Sequence, residues 1–474
     1  MCNTYESHRI LITPNVAAPY DQWMVKEMAA AFNALGHFAA AMPSPQSAVE
    51  ILALIESFSI DVVIQINRTR DPDVPFPPHV RHVSWYQDVF PETLDGFVGN
   101  FNGSDILYAL GDPAVLGLNI QPDCLVGSLF TGVDQSVMNF RPKQTGQELD
   151  FSLCGGLPHP VDLPQSLMAD LLCHFDQKVR RSPRLGRSKL TWIVRKLIFG
   201  PLIPVNYVPY PALLAMRNIV EGFYRPLRGE LDIHQLAEAM WKQGSLFVDL
   251  FEEIPQQKQI PAHDALTHPL RAHVQNMAGR RDAKAKLVKL FAGGNSFFQP
   301  SIRAAIERAI SYFSQSYPRI MDREVLVRAA ASVSDSLALY GPGLAAHNFA
   351  RPYYKGVIND KHELLQIYSR SKINLSNNTH GLGLHSRVLE CMAIGGFIFM
   401  HESPHDNKAG GMLTAFEPDI HFGAYTPDNF PEQARRWLGN EGERRKVGEN
   451  ARKIIQQSHR WQHRAQQILD DLKR

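Results

Sequence analysis

With 474 residues, the chain is too long for one ordinary core and long enough for two or three domains. Hydrophobic residues make up 44% and charged residues 20%, the usage of a soluble globular enzyme, which excludes a disordered or fibrous chain. Lysine plus arginine total 49 and aspartate plus glutamate 47, so a net charge of +2 supplies no global field for nucleic acid.

Five cysteines with no close pair give neither zinc-type spacing nor a disulfide framework. The apolar run 10–14 after Arg9 is too short for a signal-peptide core, so a cytoplasmic protein is expected. Residues 9–13 read as a strand, and 23–35 carry apolar residues at helical spacing with Gly36 as the stop. Further strands are expected at 60–66, 81–85 and 106–109. Strands separated by helices imply a parallel sheet covered on both faces, with ligands at the carboxyl ends of its strands. That points to Pro14 and Asn15, to Asn67 and Arg68, and to the segment 85–90.

The texture turns polar over 133–147, where a linker is expected, and a fresh strand follows at 149–153. It runs into Cys154, Gly155 and Gly156, a turn whose amides can approach a phosphate. From 160 to 332 the pattern is mainly helical, with helices expected at 164–175, 235–251, 263–278, 283–291 and 301–313. Within this block, 178–196 gathers eight cations without an acidic residue, and 197–216 has no formal charge. Four prolines interrupt the latter and argue against a spanning helix. The stretch 178–216 reads either as a solvated insertion or as peripheral contact with a bilayer or an anionic partner.

Alternation resumes with strands at 337–340, 372–375 and 397–400 and helices at 361–369 and 386–393. Helices then continue from 431 through 461–472. The densest information lies between Lys372 and Met400. A short strand leads into Ser376, Asn377, Asn378, Thr379, His380, Gly381 and Gly383, and the next helix carries Arg387 and Glu390 three residues apart on one face. Helix N-terminal amides with an arginine can offset diphosphate charge, and a carboxylate can accept from a ribose diol. His380 and His385 lie in the same neighbourhood. Arg351 and Lys355, around Tyr353 and Tyr354, either contact donor phosphates or flank an exposed turn.

Residues 337–400, with Tyr340-Gly341, Tyr354 to Gly356, Ile367-Tyr368, the asparagine loop, Arg387, Glu390 and Gly395-Gly396, resemble glycosyltransferases of the GT-B fold. They are most similar to the spore-maturation-type, or CgeB-like, branch of the group-one enzymes. Leu35-Gly36-His37 and Gly132-Val133-Asp134 agree. The resemblance spans 9–156 and 335–474 and implies two Rossmann-like α/β domains. These are a first domain at 1–140 and a donor domain at 148–445 interrupted by a helical insertion at 160–332, with terminal helices at 446–474 near the junction.

The resemblance also implies a sugar transferase. Glu390 matches the glutamate on the donor ribose, Arg387 the arginine of that helix, Gly381 and Gly383 the loop near the diphosphate, and Gly155 and Gly156 the end of the domain's first strand. Trp85 and Asp88 resemble a tryptophan–acidic pair facing the cleft, with Asp88 the candidate acceptor-side base or else a turn-capping aspartate. Gly383 stands where many retaining enzymes carry a first glutamate, which leaves the stereochemistry unassigned. The expected donor is a nucleotide-diphosphate sugar, with no tightly bound cofactor or metal and an unidentified acceptor. The alternatives are a non-catalytic binding or assembly protein of the same fold and a sugar-nucleotide epimerase.

Overall fold

The computed structural model describes residues 7–71, 73–87, 104–109, 123–142, 148–159, 317–377, 383–403, 406–407, 409–426 and 428–474, with scattered positions between 169 and 217. The chain forms two compact units, Met1–Gly156 with Leu326–Arg474 and Leu157–Val325. The first unit holds two six-stranded sheets. One is built from β1 (Arg9–Thr13), β2 (Phe38–Ala41), β3 (Val62–Ile66), β4 (Arg81–Trp85), β5 (Ile106–Tyr108) and β6 (Leu125–Gly127), with helices α1 (Pro19–Ala34) and α2 (Ala48–Phe58). Helix α3 (Gln135–Met138) leads to the second sheet of β7 (Leu149–Cys154), β8 (Leu337–Tyr340), β9 (Tyr354–Gly356), β10 (Ser371–Ser376), β11 (Ile398–His401) and β12 (Gly423–Tyr425). Its helices are α4 (Tyr317–Ala331), α5 (Lys361–Arg370), α6 (Ser386–Ala393), α7 (Phe430–Gly439), α8 (Glu441–Ser458) and α9 (Trp461–Leu472).

Every strand pair in both sheets is parallel. Parallel strands are covered on both faces, so their sequences run apolar without alternation. Accordingly β3 is buried at all five positions, and β1 at every position after Arg9. Proline at the first turn of α1 loses no helical bond there, which lets that helix begin earlier than residue 23, where its apolar spacing becomes visible. Ser47 and Glu50 close a reciprocal capping box on α2, an element that periodicity alone did not reveal. Helices α6 and α9 match their expected spans of 386–393 and 461–472.

The strand orders are β2-β1-β3-β4-β5-β6 and β12-β11-β10-β7-β8-β9. The winding therefore reverses between β1 and β3 in the first sheet and between β7 and β10 in the second. A crevice outside the carboxyl ends of the strands opens at such a reversal. Beneath the second one, Ser152 Oγ on β7 donates to Asn374 Oδ1 on β10 at 2.8 Å, and the Asn374 amide donates to the carbonyls of Tyr368 and Phe397.

The last helix returns to the first sheet. Trp461, Ala465, Ile468, Leu469 and Leu472 of α9 join Ile10, Ile12, Phe32, Val83 and Trp85 in one core. Tyr108 donates to Asp471 at 2.7 Å, and Trp461 meets Trp85 edge to face at 5.9 Å. In the second unit, the described positions 169, 172, 173, 176, 177, 180 and 217 are helical. The helices expected at 235–251, 263–278, 283–291 and 301–313, and most of 178–216, lie outside the described residues. Among the described residues no helix is long and apolar enough to cross a membrane.

Candidate active site in the second sheet and its cleft

The second sheet's reversal point carries several of the expected site residues. Arg387, in the first turn of α6, reaches across to β7 and donates from Nη1 to the Cys154 carbonyl at 2.8 Å. Its guanidinium thus sits where β7 turns into Gly155 and Gly156. The Gly155 amide donates to the Tyr340 carbonyl at 2.7 Å, tying that turn to the end of β8. The packing there is tight, because a Cβ on Gly341 would lie 2.5 Å from the Gly155 oxygen, and its φ of +144° already excludes most side chains. A Cβ on Gly156 would lie 2.9 Å from the Pro342 ring.

Just beyond β10, Asn377 buries both atoms of its side-chain amide with no partner among the described residues. A buried amide without a partner carries a desolvation cost. Gly383 is required by packing, since a Cβ there would come within 2.2 Å of Met412 Cγ. His385 proves to be the cap of α6, its Nδ1 accepting from the Arg387 amide at 3.4 Å.

Glu390 lies one turn further along α6 and is 7% exposed. Among the described residues it forms no ion pair with Arg387. Lys361, the first residue of α5, pairs with Glu390 Oε1 at 3.0 Å and also with Glu27 Oε1 from α1. The other Glu27 oxygen accepts from Trp461 Nε1 at 2.9 Å. Two carboxylates from opposite sheets therefore share one ammonium. Burial pushes the Glu27 carboxyl up to about 7, with Lys361 opposing and Glu390 adding to the rise. Burial alone would depress Lys361, yet the two carboxylates hold its ammonium above the usual lysine value.

These groups line a narrow cleft, open to solvent, between the two sheets. Its walls are Tyr20, Trp23, Met24 and Glu27 of α1, Thr131 and Gly132, Lys361, Ser386 and Glu390, and Trp461. Tyr20 approaches Ser386 at the start of α6, and Thr131 Oγ1 is buried without a partner among the described residues. Aromatic faces beside carboxylates and hydroxyls suit a polyhydroxylated ligand.

The other expected residues fall elsewhere. Arg351 donates to the Ala345 carbonyl at 3.3 Å from a 3-10 turn at Arg351–Tyr353, and Lys355 is exposed on β9 at the edge of the sheet. Trp85 does not face the cleft. It is 1% exposed in the core, with its indole N–H donating to the Leu129 carbonyl, because β4 is an interior strand buried on both faces. Asp88, Asn378, His380 and Gly381 lie outside the described residues. Lys361 and Glu27 were not singled out as site residues in the sequence, where neither has a motif and 334 positions separate them. Among the described residues no group of histidine, cysteine or carboxylate side chains is arranged to hold a metal ion.

Residues 322–470, which include β8 to β12 and most of α9, match the model of the glycosyl transferase-like family. The two parallel sheets with their flanking helices have a GT-B-like architecture. Solved structures similar to this chain include a glycosyltransferase from Rickettsia africae ESF-5, at 10% identity over 99% of this chain and 98% of that one, with a TM-score of 0.40. AviGT4, a glycosyltransferase involved in avilamycin A biosynthesis, shares 12% identity over 98% and 97% of the two chains, with a TM-score of 0.43. Anabaena Alr3699/HepE in complex with UDP shares 10% identity over 98% and 99%, with a TM-score of 0.39. No curated protein gives a significant match.

Proposed function

We propose that the chain is a glycosyltransferase of the CgeB-like branch that seats a nucleotide-diphosphate sugar over the β7/β10 crevice and takes its acceptor from the side of the first sheet. The observation that carries the assignment is the convergence at one reversal point of Arg387, the Cys154–Gly156 turn and the Asn377 amide, which has no partner among the described residues. Arg387 and the amides of Gly156 and the α6 N-terminus face the diphosphate and offset the charge that develops as the sugar–phosphate bond breaks. Gly381, Gly383, Asn378 and His380 belong to the loop that closes over it. Glu390, one turn along, accepts from the donor ribose. Arg351 and Lys355 contribute less than Arg387, because the structure supports them only as exposed groups at a turn and a sheet edge. Asp88 remains the proposed acceptor-side base on the sequence alone.

Lys361 supplies a cation that motif reasoning missed. Closure of the cleft around donor and acceptor excludes water and limits hydrolysis of the donor. The test is a panel of UDP-, GDP-, ADP- and dTDP-sugars screened by thermal shift and then by release of nucleoside diphosphate. One donor is expected to raise the melting temperature and turn over, because only the folded chain binds it. No stabilisation and no turnover with any member would remove the assignment.

A further inference from the structure

The sharing of Lys361 between Glu27 and Glu390 is not explained by donor binding alone. A lone buried Lys–Glu pair would leave the site neutral, whereas two carboxylates on one ammonium leave an excess negative charge beside the place proposed for a dianionic donor. The groups facing Glu27 come from every element around it. Lys361 lies on α5, Glu390 on α6, the Trp461 indole N–H on α9, Asp134 at the start of α3, and Tyr20 earlier on α1 itself. The second carboxylate thus stands on the first sheet's helix, opposite the one that contacts the donor.

Resting on the donor reading above, we infer that Lys361 is a positioning residue: it fixes Glu390 through Oε1, leaves Oε2 for the donor, and through Glu27 makes donor capture depend on helix α1 of the opposite sheet. Glu390 Oε2 has no partner among the described residues, so the grip of Lys361 orients the carboxylate without using both oxygens. Glu27 is itself held by the Trp461 indole, which roots the arrangement in the core of the first sheet. When Glu27 carries a proton, Lys361 and Glu390 form a neutral pair. When Glu27 is ionised, the cluster is net negative and opposes an anionic donor.

The experiment is calorimetric titration of wild type, Glu27→Gln, Lys361→Met, Lys361→Arg and Glu390→Gln between pH 5.5 and 8.5. The ligand is whichever nucleotide sugar of the panel stabilises the wild-type chain. A nucleotide sugar is a diphosphate diester whose own charge is constant over this range, so any titration belongs to the protein. Wild-type affinity is expected to fall at least about fivefold as the pH rises through 7, the scale of a modest coupling between sites. Glu27→Gln is expected to bind at pH 8 as tightly as wild type does at pH 6, with a flat profile. Lys361→Met loses affinity at every pH, and Lys361→Arg recovers most of it, which a merely structural lysine would not require. A folded Lys361→Met with wild-type affinity, or a Glu27→Gln whose profile still tracks wild type, overturns the inference. Unchanged affinity in Glu390→Gln overturns the donor reading itself, a separate result.

Discussion

Lys361, Glu27 and Glu390 make a charge count that can be read as stability. Removing Lys361 leaves two buried carboxylates facing each other, whereas removing Glu27 leaves a neutral pair. Lys361→Met is therefore predicted to destabilise the fold by about 3–5 kcal/mol, the usual cost of breaking a buried pair, and Glu27→Gln by far less, as read from urea denaturation at pH 7.5. The sign of the pH dependence follows from the folded-state value. The Glu27 carboxyl titrates at about 7 when folded against 4.5 ordinarily, so the folded chain holds its proton more tightly. The stability it contributes is complete below about 4.5 and is lost as the pH rises through 7. Glu27→Gln should flatten the stability curve in that window, and an unchanged slope would contradict the account. Gly341 supplies a control away from these charges. Its φ of +144° and the 2.5 Å approach to the Gly155 oxygen predict that Gly341→Ala costs at least ~1–3 kcal/mol.

At the scale of elements, α6 joins the two sides of the site. Its first turn presents Arg387 to β7 and its second presents Glu390 to Lys361. Arg387→Ala removes one hydrogen bond of the Cys154 turn, so it should cost about 0.5–1.5 kcal/mol of stability while weakening donor affinity more than tenfold by calorimetry. Equal affinity in the variant would detach Arg387 from the donor. This helix was legible from its residues, because glycines precede it and apolar positions recur along it. The strands β2, β6 and β12 were not, for β2 is four residues rich in alanine, and β6 and β12 are three residues long at sheet edges. Such runs carry too little pattern to mark a strand, and only pairing with a neighbour defines them. Glu27 escaped notice for another reason. On α1 it reads as one charged residue on an amphipathic helix, and its meaning comes from Lys361 in a distant part of the chain.

For the whole molecule, the return of α9 to the first sheet means that the end of the chain completes the core begun by β1 and α1. Ile468 is fully buried there, and Ile468→Ala is predicted to lower stability by about 2–5 kcal/mol, measured by denaturant titration. The same helix delivers Trp461 to both the Trp85 core contact and the Glu27 carboxylate, so the packing of one sheet and the charge of the cleft share a residue. The crevice over β7 and β10, with Glu390 beside it, is proposed to hold a nucleotide-diphosphate sugar. Calorimetry of that sugar nucleotide against wild type and the Glu390→Gln and Asn377→Ala variants tests it most directly. Saturable one-to-one binding to wild type, weakened at least about tenfold in both variants with the fold intact, is the predicted result. Binding of equal strength to all three chains would contradict it.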